Sequence, residues 1–144
     1  MSDIRILEMV IKDYEDVYKL WRESDGLELS VADSKESITR FLERNPGMSF
    51  VARDGDLVVG AVLCGHDGRR GYIDQLAVLT SHRQQGIGRN LVARCLYNLI
   101  QTGIRKWHLF VLEDNNEAIA FWDKLGWARR VELVTMSQVI RNTD

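Results

Sequence analysis

Residues 72–100, YIDQLAVLTSHRQQGIGRNLVARCLYNLI, set an apolar run, a joint rich in glycine and arginine, and an amphipathic pattern one after another. The run at 72–79 is apolar on both faces, as expected of a strand in the middle of a sheet. Ile87, Leu91, Cys95, Leu96 and Leu99 recur at helical spacing, so residues 86–101 are expected to form a helix, with Gly103 as its stop. In a strand–helix unit, unpaired N–H groups and the helix dipole meet at this joint and favour an anion. Gly86 and Gly88 lack Cβ atoms, so phosphate oxygens could approach the amides of Gln85, Gly86, Ile87, Gly88 and Arg89, while Arg83 and Arg89 supply charge. The joint is therefore expected to hold a phosphorylated cofactor.

On the amino-terminal side, residues 3–9 alternate as a first strand, and Asp13 is positioned to cap a helix carrying Val17, Leu20 and Trp21. An acidic loop, ESDGLELSVAD at 23–33, precedes Ser34, the expected cap of a second helix through Ile38, Phe41 and Leu42. MSFVAR, the turn at Asp54-Gly55 and LVVGAVLCGH predict an antiparallel hairpin. On the carboxyl side, RKWHLFVLE at 105–113 reads as a strand, NNEAIAFWDKLG as a short helix ended by Gly126, and residues 127–140 as one or two closing strands. The fold class is α/β (α+β): a mixed, mostly antiparallel sheet with one parallel βαβ crossover and about four helices.

A chain of 144 residues, 45% hydrophobic and without an evident linker, is expected to form a single domain spanning residues 1–144. Its formal net charge of −2 gives no global attraction to nucleic acid or an anionic membrane. The acid-interrupted start suits neither a signal peptide nor a spanning helix, so the expected location is cytoplasmic. Cys64 and Cys95 sit in apolar surroundings as buried small hydrophobes, and His66, His82 and His108 lack metal-ligand spacing, so no metal is expected.

Leu91 stands where a dinucleotide-binding GxGxxG needs its third glycine, and the joint has no lysine for a P-loop. Arg83-Gln84-Gln85-Gly86-Ile87-Gly88 instead matches [RQ]-x-x-G-x-[GA], and Asn115, Ala118, Phe121, Lys124, Leu125 and Gly126 lie in a segment similar to N-x-x-A-x-x-[FL]-Y-x-K-x-G-F. Both resemble the GCN5-related N-acetyltransferase (GNAT) superfamily, and the second also looks like its ribosomal-protein N-terminal acetyltransferase branch. The resemblance implies acetyl-CoA, or another acyl-CoA, as donor. It implies pantetheine pairing along Leu76, Ala77 and Val78, pyrophosphate over Gln84 to Arg89, and Asn115 near the thioester; Asn115 is equally suited to cap the helix that follows it. Dimerisation through the closing strands is a further family expectation.

Acyl transfer to an amine needs the amine neutral and the leaving thiolate stabilised. Asp74 is the first candidate base, placed by simple alternation on the same side as Tyr72, Leu76 and Val78; Glu113 is the second. Each also has a structural reading, Asp74 as a hydrogen-bonded strand residue and Glu113 as a solvated loop residue. Trp122 stands where many relatives carry Tyr, and an indole N–H is too weak an acid to protonate a thiolate, so Trp122 is read as a wall of the pantetheine channel. The resemblance also implies that acceptor recognition comes from the loop between the first two helices, here Trp21, Asp25 and Glu28; its acids would suit a cationic amine, in a small molecule or in a peptide or protein, and they equally suit a solvated loop. Two other readings compete: a CoA-binding regulatory or interaction module with impaired catalysis, and a phosphate-dependent nucleotide-binding domain.

Overall fold

The computed structural model describes residues 3–140. The chain divides into two compact units, Met1–Leu112 and Glu113–Asp144. The first unit holds β1 (Ile4–Glu8), α1 (Tyr14–Arg22), α2 (Lys35–Arg44), β2 (Phe50–Asp54), β3 (Leu57–His66), β4 (Gly71–Val78), α3 (Ile87–Gln101) and β5 (Trp107–His108). The sheet runs β1-β2-β3-β4-β5, antiparallel throughout except for the parallel pair β4–β5. The α/β expectation with one parallel crossover holds.

The middle strand is β3, in which the eight residues from Val58 to Gly65 are all buried. This corrects the expectation that residues 72–79 form the sheet's centre. Helices pack against both faces of β4, which lies between β3 and the short β5. On one face, Ala61, Leu63 and Ala77 pack with Val17, Leu20 and Trp21 of α1 and Ile38 of α2. On the other, α3 lies so close that a Cβ built on Gly60 would meet Ile87 Cγ2 and Leu91 Cδ1 at 3.1 Å, and one on Gly71 would meet Leu99 Cδ1 at 2.8 Å.

Asp13 precedes α1 but does not cap it with its side chain. Its carboxylate instead accepts from the Val10 N–H at 2.9 Å and from Arg53 Nη2 at 2.6 Å, joining the start of α1 to β2. Ser34 caps α2 as expected, its Oγ accepting from the Ser37 N–H at 3.2 Å. Cys64 and Cys95 are buried; a hydrogen bond with Cys64, reinforced by burial, pushes the Cys95 thiol well above its ordinary range. The Cys95 thiol is no nucleophile in this setting.

The strand expected at 105–113 is reduced to two residues, with Gly71 opposite Trp107 and Tyr72 opposite His108. In the second unit, α4 (Asn116–Lys124) is capped by Asn115, whose Oδ1 accepts from the Ala118 N–H at 3.1 Å. Trp122 is buried in an aromatic cluster, 5.0 Å from Phe121 and 5.1 Å from Trp127 between ring centroids. The closing strands expected at 127–140 are not formed among the described residues. Alternation marks a segment as able to be a strand, but a strand also needs a ladder partner; here the alternating side chains stay exposed, from Val131 at 85% to Ile140 at 94%.

Candidate functional site

β5 leaves the ladder after His108, so among the described residues the β5-facing edge of β4 from Ile73 to Val78 has no strand beside it. An unpaired strand edge presents N–H and C=O groups in a row and can take an extended ligand by added-strand pairing. That edge carries Leu76, Ala77 and Val78 and leads through a 3-10 turn, Thr80–His82, to the start of α3.

At the joint, Gly86 adopts φ +81° and serves as the N-cap of α3, and Gln84 adopts φ +61°. Successive turns of this kind gather backbone N–H groups into a concavity for anions. The N–H groups of Ile87, Gly88 and Arg89 open the helix and have no partner within it. Gly88 lies in the first helical turn with no positive φ, so the conformational demand falls on Gly86 and on a residue the sequence does not flag, Gln84. A Cβ built on Gly86 would meet no atom within 4 Å, leaving the approach open. Arg83 folds back so that its Nε donates to the Val78 carbonyl at 3.2 Å, while Gln85 and Arg89 are exposed. A cavity of about 260 Å³ beside this joint is lined by Glu23, Ser24, Val78, Leu79, Thr80, Ser81 and Arg83.

β4 contains a bulge. Asp74 lies opposite Leu63 and Ala77 opposite Ala61, so β4 spends one residue more than β3 between these pairs. Asp74 therefore shares a face with Tyr72 and Ala77, whereas Val78, opposite Gly60, lies on the other face. This corrects the simple alternation that grouped Asp74 with Leu76 and Val78. Gln75, at φ +53°, occupies the bulge.

Solvent reaches Asp74, yet protein atoms crowd much of its carboxyl. That desolvation, with the Asp33 charge adding to it, raises the Asp74 pKa from its ordinary value. Asp33 itself is buried and accepts from Gln75 Nε2 at 2.9 Å and from the Ser30 N–H at 3.0 Å. The 23–33 loop thus reaches β4 through Asp33, which sequence reasoning missed because Asp33 stood only as the end of an acidic loop.

Trp21, expected at the acceptor entrance, is 1% exposed and donates from Nε1 to the Gln75 carbonyl at 3.1 Å. It can influence an acceptor only through what it holds. Asp25 and Glu28 are exposed, and the Glu28 carbonyl accepts from Gln75 Nε2 at 3.3 Å. Glu113, Asn115 and Trp122 belong to the second unit, where Glu113 is exposed, Asn115 caps α4 and Trp122 packs among aromatics. Among the described residues no group of three or more His, Cys, Asp or Glu side chains is arranged to hold a metal ion, and no helix is long and apolar enough to cross a membrane.

The chain is similar in sequence to curated proteins and in fold to solved structures. An acetyltransferase of Pectobacterium atrosepticum is 35% identical over 136 residues, covering 94% of both chains. One from Yersinia pseudotuberculosis is 34% identical over 125 residues, covering 87% of this chain and 86% of the relative. Among solved structures, Ard1 from Thermoplasma volcanium superposes with a TM-score of 0.77 at 25% identity, over 87% of this chain and 82% of that one. A chain of the NatC complex bound to Gag peptide and CoA shares the fold, with a TM-score of 0.76 at 21% identity over 89% and 86% of the two chains. The acetyltransferase (GNAT) family model matches residues 14–127, and with these relatives it shows that the chain belongs to the GNAT family and is an N-acetyltransferase.

Proposed function

We propose that this protein transfers an acetyl group from acetyl-CoA to an amine by direct attack within a ternary complex. The observation that carries the reading is the continuity of the open β4 edge with the N-terminus of α3. An extended amide-bearing arm suits a bare strand edge, and a pyrophosphate suits the amides at 84–89 with Arg83 and Arg89 nearby. The two units are read as parts of one domain, since the family model runs across both.

On the acceptor side, a lysine-like amine with a pKa near 10.4 is neutral only about once in 10³ molecules at pH 7. Asp74 is the base proposed to take its proton, and its raised pKa makes it a better acceptor than an ordinary carboxylate. Glu113 is the alternative base. The amine nitrogen bonds to the acyl carbon, the carbon–sulfur bond breaks, and CoA leaves as the thiolate. Trp122 cannot protonate it, and with a thiol pKa of about 8.5 by analogy with cysteine, water can serve as the donor. The acceptor class, a small amine or a peptide or protein amine, is left to the chemistry of Asp25, Glu28 and Asp33. The expected cytoplasmic location is compatible with this reading.

Trp122 also motivates the second reading, a CoA-binding module without turnover. Calorimetric titration with acetyl-CoA, with 3′,5′-ADP as the nucleotide-only control, tests the donor site. Binding that requires the pantetheine arm is expected. Equal binding of both ligands would favour a nucleotide domain, and binding without turnover over a panel of peptides, polyamines and small amines would favour the module.

A further inference from the structure

Gln75 is an unusual residue to find at φ +53° within a strand, since a side chain other than Gly, Asn or Asp pays for that conformation. Three contacts hold it there. Trp21 Nε1, from α1, donates to its carbonyl at 3.1 Å; its own Nε2 donates to Asp33 Oδ1 at 2.9 Å and to the Glu28 carbonyl at 3.3 Å. The main chain of Gln75 is thus fastened to Trp21 on the core-facing side of α1, and its side chain to the loop at 23–33. The residue before it is Asp74. Asp33 is held in turn by the Ser30 N–H, and its own carbonyl accepts from the Tyr14 hydroxyl at 2.7 Å.

We infer that Gln75 is a positioning residue, which locks the β4 bulge and the 23–33 loop into a single arrangement and thereby sets where Asp74 stands relative to the acceptor loop. The inference rests on the proposed role of Asp74 and deepens it. A bulge elsewhere could tolerate a glycine or asparagine with no side-chain tether; here a strained glutamine supplies one that spans two separate parts of the chain. Gln75 touches neither reacting group in this account. It acts through Asp74 on one side and through Asp33 and Glu28 on the other. Across this junction the Asp33 carboxylate acts on Asp74, and the Gln75 amide is one of the contacts that hold it there, beside the Ser30 N–H.

Gln75→Leu keeps the approximate size and the backbone penalty but removes both side-chain donations. Gln75→Asn is the companion variant: Asn accepts positive φ more readily, and it is one methylene too short to keep both contacts. Three measurements on the full chain, wild type and variants, test the inference without needing a known acceptor. They are amide hydrogen exchange across 23–33 and α3, the titration of Asp74 followed by carboxyl carbon NMR, and acetyl-CoA calorimetry.

In both variants, exchange in the 23–33 loop is expected to quicken by about tenfold, the loss of one or two net hydrogen bonds, while α3 is unchanged. The Asp74 midpoint is expected to fall toward the ordinary carboxylate value, because the Gln75 amide no longer holds the bulge that carries Asp74 and the Asp33 carboxylate together. Faster exchange with an unmoved Asp74 midpoint would reduce Gln75 to a structural fastening and overturn the inference, as would unchanged exchange. If wild type failed to bind acetyl-CoA, the proposed function would fall while the exchange and titration data still decided the tether.

Discussion

His82 Nε2 lies 2.9 Å from Asp54 Oδ2, and His82 Nδ1 lies 2.8 Å from Ser81 Oγ, so the β2–β3 hairpin is joined to the turn that delivers Arg83. A carboxylate can only accept, so Nε2 carries the hydrogen toward Asp54. Replacing Asp54 by Ala removes the anchor without touching the amides at 84–89. Acetyl-CoA affinity is expected to drop about three- to tenfold, in line with one net hydrogen bond. Calorimetry against wild type checks this, and equal affinity would mean the joint holds its shape unaided.

Gly86 and Gly55 offer a matched pair. Both have positive φ, +81° and +61°, and a Cβ on either would meet nothing within 4 Å. An alanine at each should cost a similar amount of stability, about 1 kcal/mol. Only Gly86→Ala is expected to weaken acetyl-CoA binding beyond that shared cost. Thermal unfolding and calorimetry on the two variants separate the effects; equal affinity for the donor in both would show that nothing needs to approach residue 86.

The raised pKa of Asp74 carries a sign. Between its unfolded and folded pKa values the native state holds more protons than the unfolded chain, so stability falls as pH rises through that interval and the loss persists above it. Asp74→Asn should therefore raise the melting temperature at neutral pH, with the gain vanishing below pH 4. If Asp74 is the base, the same substitution should lower the turnover rate at neutral pH and remove the acid limb of the pH–rate profile. A more stable protein with an intact profile would remove Asp74 from catalysis and leave Glu113 to be tried.

Asp13 and Arg53 form a pair with little exposure, at 10% and 19% of their side chains. Arg53→Ala leaves a buried carboxylate with only the Val10 N–H, and a loss of about 3 kcal/mol is expected. Urea unfolding measures it. Asp13→Asn with Arg53→Met should recover part of that loss, because no uncompensated charge is left behind.

The order of elements was legible from periodicity and from turns such as Asp54-Gly55, because these are local signals. The anion joint was legible because Gly86 and the helix it opens are neighbours in sequence. The bulge was not, since glutamine advertises no positive φ, and Gln75 is held by residues 42 and 54 positions away. That single omission put Val78 on the wrong face and hid Asp33. The closing strands failed for a related reason: alternation in residues 127–140 reports what side chains could do, while pairing depends on whether a neighbouring edge continues past His108.

Gly60 has a consequence for how variants of this protein will be interpreted. Its missing side chain lets the first turn of α3, through Ile87 and Leu91, rest directly on β3, and so fixes the height at which the helix mouth stands above the sheet. A methyl group there would press on the ends of the Ile87 and Leu91 side chains, which would have to give by a few tenths of an ångström. Where that pressure reaches the start of the helix, such a variant would behave like a ligand-contact mutant although residue 60 is walled off behind the helix, and a map of sensitive positions drawn from binding data alone would extend the site beneath the helix to a strand that no ligand touches.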